Sequence, residues 1–272
     1  MSTLRAASVS LVSIVLVAVA TAFFLALTAA QLTGDESGDV ILRRSVAVMT
    51  DLDQSLPRIE EELPVAADEA ERDTVQVPGF PLPVELSVGE AQTLKAGALR
   101  DRILAESAAI LYADGMSAWT ATDQDASQDI DRLSAAGFVE RGLGLIRDSV
   151  HTGFLIIAIL LGIMTTAIMG ILLIVLPREA RLLVLSLVTL ASSLPSLAAA
   201  VGLRFAFRTL DTDTDEFVNG MLAIGADSMW IPIRNFFTLT LLGAGLLIVG
   251  SFYTWWEARS LRSQGHLADS GS

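Results

Sequence analysis

Four long apolar runs alternate with polar segments along the chain. The runs cover residues 6–32, 153–176, 182–203 and 231–256, and the central portion of each lacks charged residues. A helix rises about 1.5 Å per residue, so each run can cross a hydrocarbon core of roughly 30 Å. The pattern predicts an all-α integral membrane protein with four transmembrane helices, of which residues 152–256 supply the last three.

The first run allows two interpretations. Its basic start, its apolar stretch and the small residues of "LTAAQ" are features of a cleaved signal peptide. The apolar part at 7–30 exceeds the roughly 7–15 residues of a typical signal-peptide core. We therefore predict that residues 1–32 form an uncleaved membrane anchor, and cleavage after Ala30 is the alternative.

The segment between the first two runs, residues 33–151, is polar and strongly acidic. It holds 23 acids and 10 bases, so its charge of −13 equals the formal net charge of the whole protein. We predict that this segment forms a mainly helical extracytoplasmic domain, inserted between helices 1 and 2. The acid excess, with 17 arginines against one lysine, resembles the composition of proteins from halophiles.

Arginines in the short flanking segments predict the orientation in the membrane. Five fall on one side and three on the other. The five are Arg5, Arg178, Arg181, Arg259 and Arg262, and the three are Arg204, Arg208 and Arg234. Because basic short segments stay in the cytoplasm, we predict a multi-pass protein of the cell membrane with both termini, including the tail at 257–272, in the cytoplasm.

Hydrophobic spacing predicts the first elements of the acidic domain. Apolar residues recur at helical intervals over residues 39–63, which predicts one helix that is interrupted or kinked at Pro57, where the backbone lacks a donor. The stretch "TVQVPGFPLPVELSV" follows it. Its prolines and alternating valines predict extended chain with a small hairpin.

Two further helices are predicted in the same domain. Ser87 and Glu90 form a capping-box pattern, so a long helix is predicted to start near Val88 and to stop at Gly115. A third helical pattern is predicted to run into the second membrane helix and contains Leu133, Phe138, Val139, Leu143 and Ile146. Such amphipathic helices bury one another's apolar faces, which predicts a small helical bundle.

The stretch "DTDTDEF" between the third and fourth runs is the densest acidic motif. Asp211, Asp213 and Asp215 occupy the first, third and fifth positions of an EF-hand calcium loop. Glu216 stands where that loop needs glycine, and Leu222 stands where it needs a bidentate glutamate. The motif therefore fails at the positions that set the loop geometry, and no metal site is predicted.

A local interpretation accounts for the same residues. Asp213 can cap a helix with Glu216 three residues later, and acids in a first turn interact favourably with the helix dipole. This predicts a short amphipathic helix near 213–225 at the outer membrane surface, ended by Gly225. Its predicted apolar face consists of Phe217, Met221 and Ile224.

The sequence predicts no catalytic residue, metal site or cofactor. The chain has no cysteine, which excludes disulfides, thiolate ligands and cysteine nucleophiles. Its two histidines, His151 and His266, lie on opposite faces of the bilayer in the predicted topology, and no catalytic motif accompanies them. We predict a protein that is not an enzyme and has no nucleic-acid partner. A membrane enzyme using the three aspartates of "DTDTDEF" is the weaker alternative.

Small residues form stripes along the membrane runs. Ala158, Gly162, Thr166 and Gly170 repeat every four residues, a spacing that lets helix backbones approach closely in lipid. The stripe serves either packing within the four-helix unit or a contact with a protein partner or a second copy. The runs carry no ionisable group at membrane depth, which disfavours a transporter, although Ser192, Ser193 and Pro195 leave a polar pathway open as a hypothesis.

These observations favour a non-enzymatic assembly, scaffold or sensing component. Such a protein would bind a partner through the outer domain or through the membrane helices. The alternative is a channel-forming homo-oligomer, in which the acidic domain would concentrate cations near a pore mouth.

Overall fold

The computed structural model describes residues 3–115, 118, 142–210 and 216–269. The helices are α1 Thr3–Thr33, α2 Asp35–Thr50, α3 Leu52–Asp68, α4 Val88–Thr93, α5 Ala96–Asp114, α6 Asp148–Val175, α7 Arg178–Thr209, α8 Glu216–Ser228 and α9 Trp230–Asp269, and the strands are β1 Thr74–Gln76 and β2 Glu85–Ser87. The chain folds into two compact units. We call Met1–Thr28, Phe154–Leu203 and Met229–Ser272 the apolar unit, and Ala29–Gly153 with Arg204–Ser228 the polar unit.

Four helical stretches are long and apolar enough to cross a membrane, as the sequence predicts. They are Val9–Thr33, Asp148–Val175, Ala180–Thr209 and Glu216–Trp256, the last of which joins α8 to α9. Large apolar side chains on these stretches are exposed, including Ile14, Ile163 and Ile248. An apolar outer surface suits helices whose solvent is lipid.

The apolar unit is held together by side chains from several membrane-type helices. Leu16 of α1, Leu172 of α6 and Val188 of α7 belong to one buried cluster. Hydrogen bonds also join helices within this unit, and among the described residues one runs from Ser192 Oγ to the Val17 carbonyl at 3.4 Å. Thr240 Oγ1 donates to Ser193 Oγ at 3.0 Å, and Asn235 Nδ2 donates to Thr28 Oγ1 at 3.2 Å. Apolar packing supplemented by a few hydroxyl and amide contacts is the usual stabilisation of helices in lipid.

The predicted single helix over 39–63 is wrong, because the chain breaks at Asp51 into α2 and α3. Asp51 adopts a left-handed conformation with φ 44° and ψ 41°, which aspartate tolerates better than most residues. The amides of Gln54 and Ser55 bond to its carbonyl and start α3. Pro57 lies inside α3. The helix continues through it to Asp68, so the missing backbone donor does not end α3 at this position.

The predicted hairpin and capping box are confirmed. Strands β1 and β2 pair antiparallel, with Val75 opposite Leu86, and both of these side chains are buried. The Ser87 hydroxyl accepts from the Glu90 amide at 3.2 Å, and Glu90 Oε2 accepts from the Ser87 amide at 3.0 Å. Two of the orphan amides at the start of α4 are thus satisfied.

The prediction of one long helix from Val88 is wrong, because α4 ends at Thr93. Leu94 and Lys95 have extended backbones, and Ala96 starts α5 at φ 45°. The end of α5 is as predicted: Gly115 follows it at φ 69°, and its amide bonds to the Leu111 carbonyl at 2.8 Å.

The third predicted helix does not continue into α6. Leu133, Phe138 and Val139 lie outside the described residues. Residues 142–144 are helical, but a turn and two bends at 145–147 separate them from α6, which begins at Asp148. Leu143 and Ile146 pack on the core of the polar unit, as their place in the pattern predicts.

The polar unit has one large hydrophobic cluster, built by α2, α3, the hairpin, α4 and α5. Its fully buried side chains are Leu42, Val46, Leu52, Ile59, Leu63, Leu82, Val84, Leu86, Leu99 and Ile103. Each helix contributes residues at helical spacing and each strand contributes one face. This cluster fixes the positions of α2 and α5, on which the candidate site is built.

We expect Ser87→Ala to lower the free energy of unfolding by about 1 kcal/mol at neutral pH, because it removes the hydroxyl that caps α4. Hydrogen bonds from the amide and the hydroxyl of Ser87 lower the pKa of Glu90 below its ordinary value, and the hydrogen bond and charge of Arg102 lower it further. Stability from a lowered carboxyl pKa is present above the ordinary glutamate range of about 4.3 and is lost as pH falls through the folded pKa.

Denaturant unfolding of the full chain between neutral and acid pH measures this effect. The difference between wild type and Ser87→Ala should shrink as the pH falls below about 4. Ser87→Thr is the matched control, because it keeps the capping hydroxyl. A penalty that is independent of pH would contradict the assigned role of Glu90.

Candidate functional site

Helix α8 packs on α2 within the polar unit. Gly220 of α8 lies against Val48 of α2, so closely that a Cβ at position 220 would lie 2.8 Å from Val48 Cγ1. Arg44 Nη1 also donates to Asp227 Oδ2 at 2.9 Å. The connection between α7 and α9 thus supplies one wall of the same unit that residues 29–153 build.

The structure corrects the predicted end of this helix. Gly225 does not stop α8, which continues to Ser228. A Cβ at position 225 would lie 3.4 Å from the ring of Phe207. Gly225 therefore lies where α8 packs against α7, and it does not end the helix. Asp213, the predicted cap, lies outside the described residues. The predicted position of α8 at the membrane surface stays a prediction.

A groove of about 980 Å³ lies between α2, α5 and α8, and we call it the α2–α8 groove. Helix α2 forms its base through residues 43–49, together with the break residue Asp51; α5 contributes Arg100, Asp101 and Leu104, and α8 contributes residues between 216 and 224. Its volume lies in the range of roughly 300–1,000 Å³ typical of ligand sites. Leu104 and Ile224 are buried, whereas Val48 is half-buried, so the base is apolar and accessible.

The arginines of the groove are already paired with acids. Arg43 Nε donates to Asp39 at 2.8 Å, and Arg44 is bound to Asp227. Arg100 holds Asp53 through two bonds of 2.6 and 3.2 Å. This hydrogen bond and the guanidinium charge lower the pKa of the Asp53 carboxyl, which therefore stays ionised at neutral pH.

Three further carboxylates line the groove without a close cation. Asp51, Asp101 and Glu216 are exposed. In the described part of the chain, the nearest ion pair among them is the 4.0 Å contact from Asp101 to Arg100. The groove therefore carries a local excess of negative charge around an apolar base.

We expect the double variant Val48→Cys with Gly220→Cys to form a disulfide in the full-length chain. A Cβ at position 220 would lie 3.6 Å from Val48 Cβ, within the roughly 3.5–4.5 Å between the Cβ atoms of disulfides. Because the chain has no cysteine of its own, mass spectrometry after mild oxidation reports this pair alone.

Val40→Cys with Gly220→Cys is the matched control. Val40 precedes Val48 by eight residues of α2, which is about 12 Å along a helix, so its thiol cannot reach position 220. Equal cross-linking in the two double variants would contradict the docking of α8 on α2.

A second group of polar contacts holds the end of α1. The Tyr112 hydroxyl donates to the Thr33 carbonyl at 3.1 Å, and His151 Nδ1 lies 2.9 Å from the Ala30 carbonyl. A carbonyl only accepts, so Nδ1 carries the proton of this bond. Burial and the nearby charges of Asp35 and Asp148 raise the pKa of Tyr112 to about 12, so the phenol stays protonated as a donor.

Of the acidic motif at 211–216, the structure describes only Glu216. Asp211, Asp213 and Asp215 lie outside the described residues. Among the residues that are described, no group of three histidine or acidic side chains has the arrangement of a metal site. His151 is half-buried and bonds to the backbone of α1. This side chain therefore serves as a structural contact between α6 and α1.

The small-residue stripe divides into two parts. Ala158 is buried, and a Cβ on Gly162 would lie 3.0 Å from the ring of Phe23 in α1, so this part packs inside the apolar unit. Thr166 is exposed, and a Cβ on Gly170 would have no described atom within 4 Å. A contact with a partner or second copy through this stripe stays a prediction.

Two serine hydroxyls of α7 form hydrogen bonds inside the packed helices. Ser192 Oγ donates to the Val188 carbonyl at 2.8 Å, and Ser193 Oγ accepts from Thr240. Both serines are buried. Their hydrogen bonds offer no support for the polar pathway considered from the sequence.

Comparisons of the chain with protein-family models, curated proteins and solved structures give no match. The α2–α8 groove was missed by sequence reasoning, because its walls come from segments more than 100 residues apart. One signal was present: Gly220 interrupts an amphipathic helix, and a glycine there marks a close helix approach.

Proposed function

We propose that this chain is a four-pass protein of the cell membrane that binds a protein partner through its polar unit. In this role it is a non-enzymatic assembly, scaffold or sensing component. The observation that carries the proposal is the α2–α8 groove, an accessible apolar base with charged walls. Surfaces of this kind suit protein partners, whose contacts combine a buried apolar centre with a polar rim.

The packing of α8 on α2 supports the four-pass arrangement. The connection between α1 and α6 and the connection between α7 and α9 must share one side of the membrane if each apolar helix crosses once. The Arg44–Asp227 pair and the contact of Gly220 with Val48 agree with a shared side and support this arrangement. The arginine distribution favours the outer side for this unit, with both termini in the cytoplasm.

Single cysteines test the orientation, because the chain has none of its own. Glu61→Cys places a thiol on an exposed position of α3, and Arg178→Cys places one on an exposed position at the start of α7. A membrane-impermeant maleimide should label the first variant in intact cells and the second only after permeabilisation. The reverse pattern would overturn the proposed orientation.

Purification in mild detergent, followed by mass measurement, tests the proposed role. Co-purification of a different protein in fixed stoichiometry is the expected result. A ring of identical copies alone would favour the channel alternative, because a pore on a symmetry axis needs several subunits.

A further inference from the structure

We propose that the α2–α8 groove binds a cationic amphipathic helix of the partner protein. The inference rests on the proposed function and names the chemistry of the partner at one site. Helix α2 lines the base from Arg43 to Met49, which is about 9 Å, or nearly two helical turns. Both walls are themselves helices, so the groove has the form in which an amphipathic helix docks with anchors at i, i+3 or i+4, and i+7.

The base of the groove supplies an apolar contact for those anchors. Ala47, Val48 and Met49 are half-buried, and Leu104 and Ile224 lie behind them. Covering this surface with leucine or phenylalanine side chains would remove apolar area from water, at roughly 25 cal/mol per Å². A purely polar ligand would leave that area without a partner.

The charge of the groove determines which charge the bound helix should carry. The three arginines are held by Asp39, Asp227 and Asp53. Asp51, Asp101 and Glu216 remain at the rim, and the whole 33–151 segment carries −13. Complementary charge favours arginine or lysine on the flanks of the bound helix and disfavours an acidic helix, a phosphate group or a nucleic acid.

A synthetic peptide of about 14 residues, roughly four turns, tests the proposal. It carries leucines at helical spacing on one face, arginines on the flanks and one photoreactive benzoylphenylalanine. The full-length protein is held in phosphatidylcholine nanodiscs, which bear no net charge. We expect saturable binding by fluorescence anisotropy, with cross-links at α2, α5 and α8, and no binding of the peptide that has glutamate in place of arginine.

Two double variants with equal changes of charge show whether peptide binding depends on the groove itself or on the overall acidity of the polar unit. Asp101→Lys with Glu216→Lys changes the rim and should weaken binding about tenfold, since each pair contributes up to about 1 kcal/mol and its reversal adds repulsion. Glu61→Lys with Glu71→Lys changes exposed acids that do not line the groove and should have less than about a threefold effect.

A third variant tests the shape of the groove. Ala223→Trp adds a bulky side chain at an exposed position of the α8 wall and should abolish the groove cross-links. Disulfide formation in the same chain carrying Val48→Cys and Gly220→Cys would show that α8 stays docked on α2. Equal weakening by the two lysine pairs, or cross-links confined to other surfaces, would overturn the proposal.

The result also separates this inference from the proposed function. If a partner co-purifies and binds the Asp101→Lys, Glu216→Lys variant as tightly as it binds wild type, the groove proposal fails and the scaffold role stands. If no partner co-purifies and the protein forms a ring of identical copies, the scaffold role itself fails.

Discussion

Leu63→Ala is expected to lower the free energy of unfolding of the polar unit by about 2–5 kcal/mol. Leu63 is 0% exposed and lies in the cluster that α3 shares with the hairpin and α5. Truncating a buried leucine loses its transfer free energy and leaves a cavity that the neighbouring side chains fill only in part. This is a large fraction of the roughly 5–15 kcal/mol that stabilises a typical domain.

Val65→Ala in the same helix is the matched control, because Val65 is 58% exposed. It should change stability by less than about 0.5 kcal/mol. Denaturant unfolding of the full chain in detergent, followed by hydrogen exchange of the α3 amides, measures both variants. Similar losses in the two would show that the face of α3 carrying Leu63 does not form the core.

Gly243→Ala is expected to destabilise the apolar unit by about 1–3 kcal/mol. A Cβ at position 243 of α9 would lie 2.9 Å from Leu190 Cγ and 3.3 Å from the Leu190 amide nitrogen in α7. The second of these is a backbone atom, so the two helices must separate to admit the methyl group, and overpacking of this kind costs about that much. Close approach through small residues is what associates helices in lipid.

Gly245→Ala provides the control two residues along the same helix. A Cβ there would meet no described atom within 4 Å, and alanine is the better helix former, by up to about 1 kcal/mol in water. The melting temperature in detergent should therefore fall for Gly243→Ala and stay equal or rise for Gly245→Ala. A fall of the same size in both would contradict the α7–α9 contact.

The spans and the hairpin were predictable from sequence because each follows from a local pattern. A run of about twenty apolar residues is long enough to cross a bilayer as a helix, and three prolines within six residues, Pro78, Pro81 and Pro83, favour extended chain. The capping box is similarly local, since Ser87 and Glu90 lie three residues apart.

The helix breaks were not predictable, because they depend on tertiary packing. Helical apolar spacing continues across Asp51, from Met49 to Leu52 and Leu56, and no proline or glycine stands at Leu94–Lys95. The chain turns at both places because α3 and α5 can then bury their faces in one cluster. The groove depends on packing even more strongly, since its base at 43–51 and its wall at 216–224 are far apart in sequence.

Met229 is the single residue between α8 and α9, and its carbonyl already accepts the amide of Ile233. The chain therefore passes from the polar unit to the apolar unit at this residue without an intervening loop.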